Sequence, residues 1–132
     1  MTENEINRIT GLIVSAAYEV HKEIGPGLLE SVYQACLVKE LKQRGLLVEQ
    51  QVITPVIYKG EDLGKDFIID ILVENEVIVE LKAVETILPV HEAQLISYLK
   101  LADKRIGLLI NFNVALIKDG IKRKINGHFE TE

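Results

Sequence analysis

The chain has 132 residues with a formal net charge of −5, and 48% of its residues are hydrophobic. This length predicts one domain, residues 1–132, around a single core. The acidic balance excludes a general duplex-coating protein, which would be basic, and the single cysteine excludes an internal disulfide and a cysteine-based zinc site. No apolar run is long enough for a membrane span and the start lacks a signal-peptide pattern, so we expect a cytoplasmic protein that does not contact membranes.

Two amphipathic helices are predicted before any strand. Thr2 and Glu5 have the spacing of a capping box, and the apolar residues behind them follow the helical period. The Gly-Pro-Gly sequence at 25–27 ends this first helix, and a second helix follows it. Gly45 is predicted to be the left-handed residue that terminates the second helix.

From residue 47 onward the apolar period changes to two, which predicts strands. Strands are predicted at 47–58, 67–73, 77–84 and 106–112, with a third helix at 90–102. An Asp-Gly pair at 119–120 lies between two short segments, 114–118 and 121–125, which predicts a C-terminal hairpin. The expected fold class is α/β, a mixed β-sheet flanked by helices with the order ααβββαβ plus the C-terminal hairpin.

Three charged residues interrupt the otherwise apolar second and third strands. They are Asp70, Glu80 and Lys82. Burying a charge is costly unless it is paired or holds a metal. Because side chains alternate along a strand, Glu80 and Lys82 point to the same face. Taken alone, that pair predicts a cross-strand salt bridge; taken with Asp70, it also predicts a Mg²⁺-dependent phosphodiesterase site.

The loop between these two strands decides between the interpretations. A two-residue turn would place Asp70 opposite Leu81, on the wrong face, whereas a three-residue loop at 74–76 places Asp70 opposite Glu80. Asn75 tolerates the left-handed conformation that such a loop needs. We therefore predict the three-residue loop and a carboxylate pair on one face.

The chemistry of this set is that of a hard-cation site. Mg²⁺ and Mn²⁺ take oxygen ligands, and Mg²⁺ keeps several waters, so Asp70 and Glu80 with a substrate phosphate would suffice. Lys82, on the same face as Glu80, is the candidate catalytic lysine. It would orient or deprotonate the attacking water, or neutralise charge that develops on phosphorus.

The segment from Gly27 to Tyr33 reads Gly-Leu-Leu-Glu-Ser-Val-Tyr and resembles the signature of the GxxExxY proteins of bacteria and archaea. The similarity extends over nearly the whole chain, including Asp70 and the Glu-Leu-Lys run at 80–82. These proteins are predicted members of the PD-(D/E)xK nuclease superfamily. The resemblance implies a restriction-endonuclease-like core and a Mg²⁺- or Mn²⁺-dependent nuclease that hydrolyses phosphodiester bonds, with DNA preferred over RNA.

The resemblance also implies roles for residues on the helices. Glu30 would be an additional acidic residue of the metal site, although a surface acid fits the sequence equally. Gln94 and Tyr98 reproduce a Q-x-x-x-Y pattern of the exonuclease-like branch, and Gln94 would contact a phosphate, a base or the catalytic lysine. His21, Tyr33 and Tyr98 are accessory candidates; His21 also fits packing near the site, and Tyr98 fits packing in the core.

Nucleic acid is the expected partner, and the C-terminal third is its expected contact. Lys122, Arg123 and Lys124 form a basic run suited to a phosphate backbone. Specificity would come from a homodimer, from a protein partner, or from the shape of a branched or single-stranded end. The alternative is a non-catalytic nucleic-acid- or protein-binding module that retains the nuclease fold. In that case Glu80 and Lys82 would form an internal ion pair.

Overall fold

A computed structural model, which describes residues 1–129, places a mixed five-stranded sheet between two helical layers. The elements are α1 (Glu3–Ile24), α2 (Glu30–Gln43), β1 (Val48–Tyr58), β2 (Glu61–Val73), β3 (Val77–Lys82), α3 (Pro89–Ala102), β4 (Ile106–Asn111), a 3₁₀ turn (Ile117–Gly120) and β5 (Ile121–Ile125). The predicted α/β class is confirmed. The predicted domain also included 130–132, which lie outside the described residues.

The strands lie in chain order across the sheet, from β1 at one edge to β5 at the other. β3 and β4 are parallel, and every other neighbouring pair is antiparallel. Parallel neighbours need a crossover connection, and α3 provides it. None of the helices within residues 1–129 has both the length and the apolar character that crossing a membrane requires.

The first two helices begin and end much as their sequence predicts. The hydroxyl of Thr2 accepts a hydrogen bond from the backbone N–H of Glu5 at 3.3 Å, and the Glu5 carboxylate accepts one from the Thr2 N–H at 3.1 Å. This is the predicted capping box. After α2, Gly45 has φ 78°. Its left-handed conformation, which glycine adopts without steric cost, lets the chain leave the helix and enter β1.

Alternation along the central strands creates two apolar cores, one on each face of the sheet. On one face Val79 and Leu81 of β3 pack beneath α1 and α2. On the other, Ile78 packs with Leu95 and Leu99 of α3. Glu80 lies two residues after Ile78 and therefore faces the α3 side. The sheet thus presents its charged residues beneath α3.

The strand predicted at 114–118 is wrong. The chain there makes bends and the 3₁₀ turn, and β5 pairs antiparallel with β4 instead. Ile117 is 4% exposed and packs with the α1-side core, which pulls this segment away from the sheet. A Cβ on Gly120 would overlap the backbone carbonyl of Asn111, so only glycine allows the chain to return this close to β4. The Asp-Gly pair does mark a turn, but the strand that precedes the turn is β4.

Candidate active site

The strand pairing between β2 and β3 is distorted next to Asp70. The ladder joins Ile71 to Val79 and continues to the loop at 74–76, where Glu74 and Asn75 have φ of 53° and 54°. The predicted three-residue loop is therefore confirmed. Before Ile71 the regular alternation of β2 stops, because Ile69 packs on the α3 side whereas Ile71 packs on the opposite side. The side chains of β2 before and after Asp70 therefore follow different alternations between the two faces of the sheet.

Two reciprocal hydrogen bonds hold the carboxylates at this point. The backbone N–H of Asp70 donates to Oε2 of Glu80 at 2.8 Å, and the backbone N–H of Leu81 donates to Oδ2 of Asp70 at 2.9 Å. Both donors are groups that a regular ladder would pair with carbonyl oxygens. Where the ladder ends, the carboxylate oxygens therefore accept the hydrogen bonds from these N–H groups. Each carboxylate is thereby fixed against the backbone of the opposite strand.

The second oxygen of each carboxylate is open. Within residues 1–129, Oδ1 of Asp70 and Oε1 of Glu80 accept no hydrogen bond, yet every fully buried side-chain nitrogen or oxygen there has a partner. These two oxygens must therefore reach solvent. Two hard oxygen donors that are not used within the protein fit a Mg²⁺ or Mn²⁺ ion. The residues present are thus suited to the cation that the sequence predicts.

Burial and a neighbouring charge act strongly on Glu80. Its side chain is nearly inaccessible, with 5% of the residue exposed. Burial, followed by the negative charge of Asp70, raises the pKa of Glu80 from 4.5 to about 8. The N–H of Asp70 and the charge of Lys82 lower the pKa, but they do not outweigh these effects. The pair therefore lacks positive charge, which a divalent cation would supply.

Lys82 lies next to this pair without being neutralised by it. The side chain is half-buried, and within residues 1–129 it forms no ion pair at 4.0 Å or less. The Glu80–Lys82 ion pair that the non-catalytic alternative requires is therefore not formed. The backbone of Lys82 is fixed, because its carbonyl accepts a hydrogen bond from the N–H of Phe112 at 3.1 Å. The ammonium remains available for a substrate.

Helix α3 brings Tyr98 to the carboxylates. Its ring packs on Phe67 of β2 with centroids 4.6 Å apart and planes tilted by 30°. Burial, with smaller contributions from the charges of Glu80 and Asp70, raises the pKa of the Tyr98 hydroxyl. The residue therefore combines core packing with proximity to the site. Gln94 lies one turn earlier on the same helical face and is exposed, as a substrate contact would have to be.

Tyr33 is a structural support for the loop that carries Glu30. The buried hydroxyl donates to the carbonyl of Gly25 at 2.6 Å and accepts from the N–H of Leu28 at 3.1 Å. The ring stacks on Phe112 with centroids 4.5 Å apart and planes 5° from parallel. These contacts fix the path of 25–29 and thereby the start of α2 at Glu30. Tyr33 therefore has a structural role at the start of α2.

Glu30 itself acts on the site from a distance. It is exposed at the first turn of α2, and its charge contributes the smallest of the effects that raise the pKa of Glu80. Within residues 1–129 no three His, Cys, Asp or Glu side chains converge as a metal-binding group. The structure therefore brings Asp70 and Glu80 together but does not place Glu30 in one cluster with them.

His21 is not brought to the carboxylates either. Its Nε2 atom lies 2.8 Å from the carbonyl oxygen of Val114 and donates a hydrogen bond to it. This contact ties the last turn of α1 to the segment that follows β4. The histidine thus has a packing role of the kind that the sequence allows, between α1 and the segment after β4.

The basic run in β5 is divided between the two faces of the sheet. Arg123 faces α1, where its guanidinium donates to Asn7 at 3.0 Å and to Thr10 at 3.3 Å. Lys124 faces α3 and pairs with Glu92 at 2.6 Å, which holds the pKa of that carboxyl below its ordinary range. Lys122 shares this second face, since it pairs in register with Leu109. The three residues do not form one continuous contact surface.

Asn111 is a positioning residue that the sequence prediction missed. It is 2% exposed and ends β4 beside Lys82. Its amide accepts from the N–H of Val84 at 3.1 Å and of Asn113 at 3.2 Å, and it donates to the carbonyl of Val84 at 2.9 Å. The side chain therefore fixes the chain just after the Glu-x-Lys run. A polar residue inside an otherwise apolar strand was the available signal.

A family model describing the PD-(D/E)XK nuclease superfamily matches residues 7–124. The chain belongs to this superfamily. The match includes both carboxylates, the lysine and all five strands except the last residue of β5. Searches of curated proteins and of solved structures returned no match. Membership in the PD-(D/E)XK superfamily gives the Asp70, Glu80 and Lys82 set a functional context, that of nucleases.

Proposed function

We propose that this protein is a metal-dependent nuclease of the GxxExxY branch that hydrolyses phosphodiester bonds in DNA, in preference to RNA, in the cytoplasm. The observation that carries the proposal is the site at the end of the β2–β3 ladder. Two carboxylates there are held by each other's strands, each with one open oxygen, and Lys82 faces the same side without an ion-pair partner among residues 1–129. A purely structural charge pair would be expected to close on itself.

Each residue of the site has a separate role in the proposed reaction. Asp70 and Glu80 would hold Mg²⁺ or Mn²⁺ through their open oxygens, and Glu30 would add negative potential nearby. When bound, the cation supplies Lewis-acid activation of the attacking water and of the phosphate. Lys82 would orient that water or accept its proton and would offset charge on phosphorus. Gln94, exposed on the face of α3 that Tyr98 shares, would hold the substrate backbone or a base.

The direct test is cleavage of labelled DNA by the purified protein. Single-stranded, duplex, flapped and four-way DNA, together with RNA, would be incubated with Mg²⁺ or Mn²⁺. We expect the parent protein to cleave at least one DNA form. Glu80→Gln and Lys82→Met should each lose about 100-fold or more, the scale typical of removing a group that stabilises a transition state. Glu85→Gln, which changes an exposed acid close to the same strand, is the matched control and should retain activity.

Two results would contradict the proposal. Equal cleavage by the parent, Glu80→Gln and Lys82→Met would indicate a contaminating nuclease. No cleavage by the parent, combined with no binding of Mn²⁺, would favour a binding module that retains the fold. The substrate preference in the same assay decides between DNA and RNA.

We also propose that a second copy of the chain is the partner that completes substrate selection. The β1–β2 hairpin exposes a set of large apolar side chains: Ile53, Ile57, Tyr58, Leu63 and Ile68. Ile53 and Ile68 are cross-strand neighbours with 68% and 48% exposure. Residues of both charge signs lie around the hairpin end, at Lys59, Glu61, Asp62, Lys65 and Asp66. A surface with both signs of charge around an apolar centre can complement itself across a two-fold axis.

A further inference from the structure

We propose that a second phosphate-binding site lies between the C-terminal half of α1 and the segment after β4, where it takes a phosphodiester group of the nucleic acid away from the scissile bond. This inference rests on the proposed nuclease function. The site is a cavity of about 210 Å³ whose polar side chains come from Tyr18, His21, Lys22 and Lys118. Ala115, Leu116 and Ile117 complete the wall.

The charge of this cavity is unlike that of the chain as a whole. The protein carries a formal net charge of −5, yet the residues that line the cavity include two lysines and a histidine and no carboxylate from residues 1–129, and the surface they present to it is mainly apolar. The acids of the same helix point elsewhere, because Glu19 and Glu23 line a different cavity, against α2. In the last two turns of α1, Glu19 and Glu23 therefore lie toward α2, whereas His21 and Lys22 lie toward the 3₁₀ turn.

The two lysines are free to bind an anion. Among residues 1–129, neither Lys22 nor Lys118 forms an ion pair, and both are exposed. By contrast, the basic residues of β5 that the sequence favoured as backbone contacts are partly engaged, with Arg123 bound to α1 and Lys124 to Glu92. An unpaired ammonium binds phosphate more readily, since no existing ion pair has to be broken.

The floor of the cavity is preorganised. His21 donates from Nε2 to the carbonyl of Val114 at 2.8 Å, so its ring orientation is set by the backbone. Ile117 packs in the core between α1 and the 3₁₀ turn, which fixes the start of the segment that carries Lys118. Rigid placement of both sides reduces the ordering cost of binding a ligand between them.

One short loop separates the cavity from Glu30, whose charge acts weakly on Glu80. Residues 25–29 lead from the last turn of α1, which carries His21 and Lys22, to Glu30 at the start of α2. Tyr33 fixes that loop by hydrogen bonds to the carbonyl of Gly25 and the N–H of Leu28. On the proposed function, a nucleic-acid strand with one phosphate at Asp70 and Glu80 would place a more distant one in the cavity.

The first test uses an anion alone. Titration with sulfate at constant pH, followed by NMR of the histidine ring protons, should shift His21 saturably, with His91 and His128 as internal references. The shift should disappear in Lys22→Gln/Lys118→Gln and persist in Lys42→Gln/Lys100→Gln, which removes two exposed lysines elsewhere and the same net charge. A linear, unsaturated response of all three histidines would overturn the site.

The second test uses a fluorescent 12-nucleotide single-stranded DNA in EDTA, so that no cleavage occurs. We expect Lys22→Gln/Lys118→Gln to bind about tenfold more weakly than the parent. Its salt slope should fall by about 0.7 for each phosphate that the variant no longer neutralises. A neutral methylphosphonate at one internal linkage should weaken binding to the parent but have no further effect on this variant.

The outcomes separate the two proposals. Equal decreases in affinity for the lysine pair and its control would mean general electrostatics and would overturn the inference. Sulfate binding without any change in DNA affinity would make the cavity a site for free anions, which also contradicts it. If sulfate and DNA binding both depend on Lys22 and Lys118 but the parent never cleaves, the second site stands and the proposed catalysis fails.

Discussion

Glu80 is a carboxyl group that is only 5% exposed to water and is held beside a second carboxylate. The arrangement stabilises the protonated form, because ionisation would place two negative charges together under α3. The backbone donors at Asp70 and Leu81 tie the strands together but leave most of that repulsion in place. The energetic cost of the site is therefore greatest when no cation is present and Glu80 is ionised.

The raised pKa of Glu80 predicts that the metal-free protein becomes less stable as pH rises. The unfolded chain releases the proton near pH 4.5, whereas the folded chain keeps it until about pH 8. Between these values the folded state binds more protons, so raising the pH favours unfolding, by on the order of 4 kcal/mol over the whole interval. Urea unfolding in EDTA at pH 5 and pH 8 measures this difference. Glu80→Gln should remove that decline, and an undiminished decline in the variant would show that other groups cause it.

Metal binding should offset the same repulsion. In Mn²⁺ at 100 times its dissociation constant, we expect the free energy of unfolding of the parent protein to increase by about 2.7 kcal/mol. Asp70→Asn removes one of the two open carboxylates and should lose most of this gain, whereas Asp66→Asn, an exposed acid on the same strand, should keep it. Thermal unfolding with and without Mn²⁺ measures the difference. A full gain in Asp70→Asn would place the cation elsewhere.

At the level of elements, the connection from β4 to β5 depends on a single glycine. Gly120 abuts the carbonyl of Asn111, the same residue whose side chain fixes Val84 beyond the site. The turn, the end of β4 and the exit from β3 are therefore one packed unit. A displacement of the turn should therefore move Asn111 and, with it, the backbone next to Lys82.

Two glycine substitutions test that dependence. Gly120→Ala should lower the free energy of unfolding by at least about 3 kcal/mol, because its Cβ would meet backbone that cannot rotate away. Gly11→Ala, in the exposed face of α1 where a Cβ meets no atom within 4 Å, should raise it by about 0.5–1 kcal/mol. Chemical denaturation of both variants supplies the comparison. A neutral Gly120→Ala would show that the turn relaxes freely.

The elements also show why the sequence predicts some features and not others. Helical and strand periods, the Thr2 capping box and the loop at 74–76 depend on nearby residues, so the local pattern sufficed to predict them. The strand predicted at 114–118 failed because its alternation competes with the burial of Ile117 against α1, a contact nearly a hundred residues away in sequence. The division of the basic run in β5 between two faces follows from strand alternation, whereas the partners that engage Arg123 and Lys124 come from α1 and α3.

Some features of the candidate site could likewise be predicted from nearby residues, and others depend on the fold. Asp70 and Glu80 could be paired from loop length and alternation alone, and their reciprocal backbone bonds agree with that register. The supporting roles of Asn111 and Tyr33 depend on which backbone atoms the fold brings to them, and no local pattern specifies those partners. The separation of Glu30 from the carboxylate pair likewise depends on where α2 packs.

For the whole molecule, charge and apolar surface are distributed unevenly. The carboxylate pair lies on the α3 side of the sheet, whereas the cavity with basic residues in its lining lies beside α1. The apolar surface of the β1–β2 hairpin lies at the opposite edge of the sheet from β5. An interface there would leave the cavity next to α1 uncovered.

Self-association through the hairpin is therefore the expected state of the whole protein. Exposed apolar side chains on paired strands near a sheet edge favour association, and a two-fold contact would bury Ile53 and Ile68 of both copies. Analytical ultracentrifugation should show a monomer–dimer equilibrium for the parent. Ile53→Thr/Ile68→Thr should shift it to the monomer, because threonine keeps the strand preference but lowers the apolar area.

The control for this prediction is Leu47→Thr/Val90→Thr, which removes two exposed apolar side chains that lie outside the hairpin surface. We expect it to dimerise as the parent does. A parent that stays monomeric at all concentrations, or a dimer that survives the isoleucine pair, would contradict the interface. If dimerisation also sets substrate choice, the isoleucine variant should still cleave, because the proposed site residues lie outside the hairpin surface, but its preference among DNA shapes should broaden.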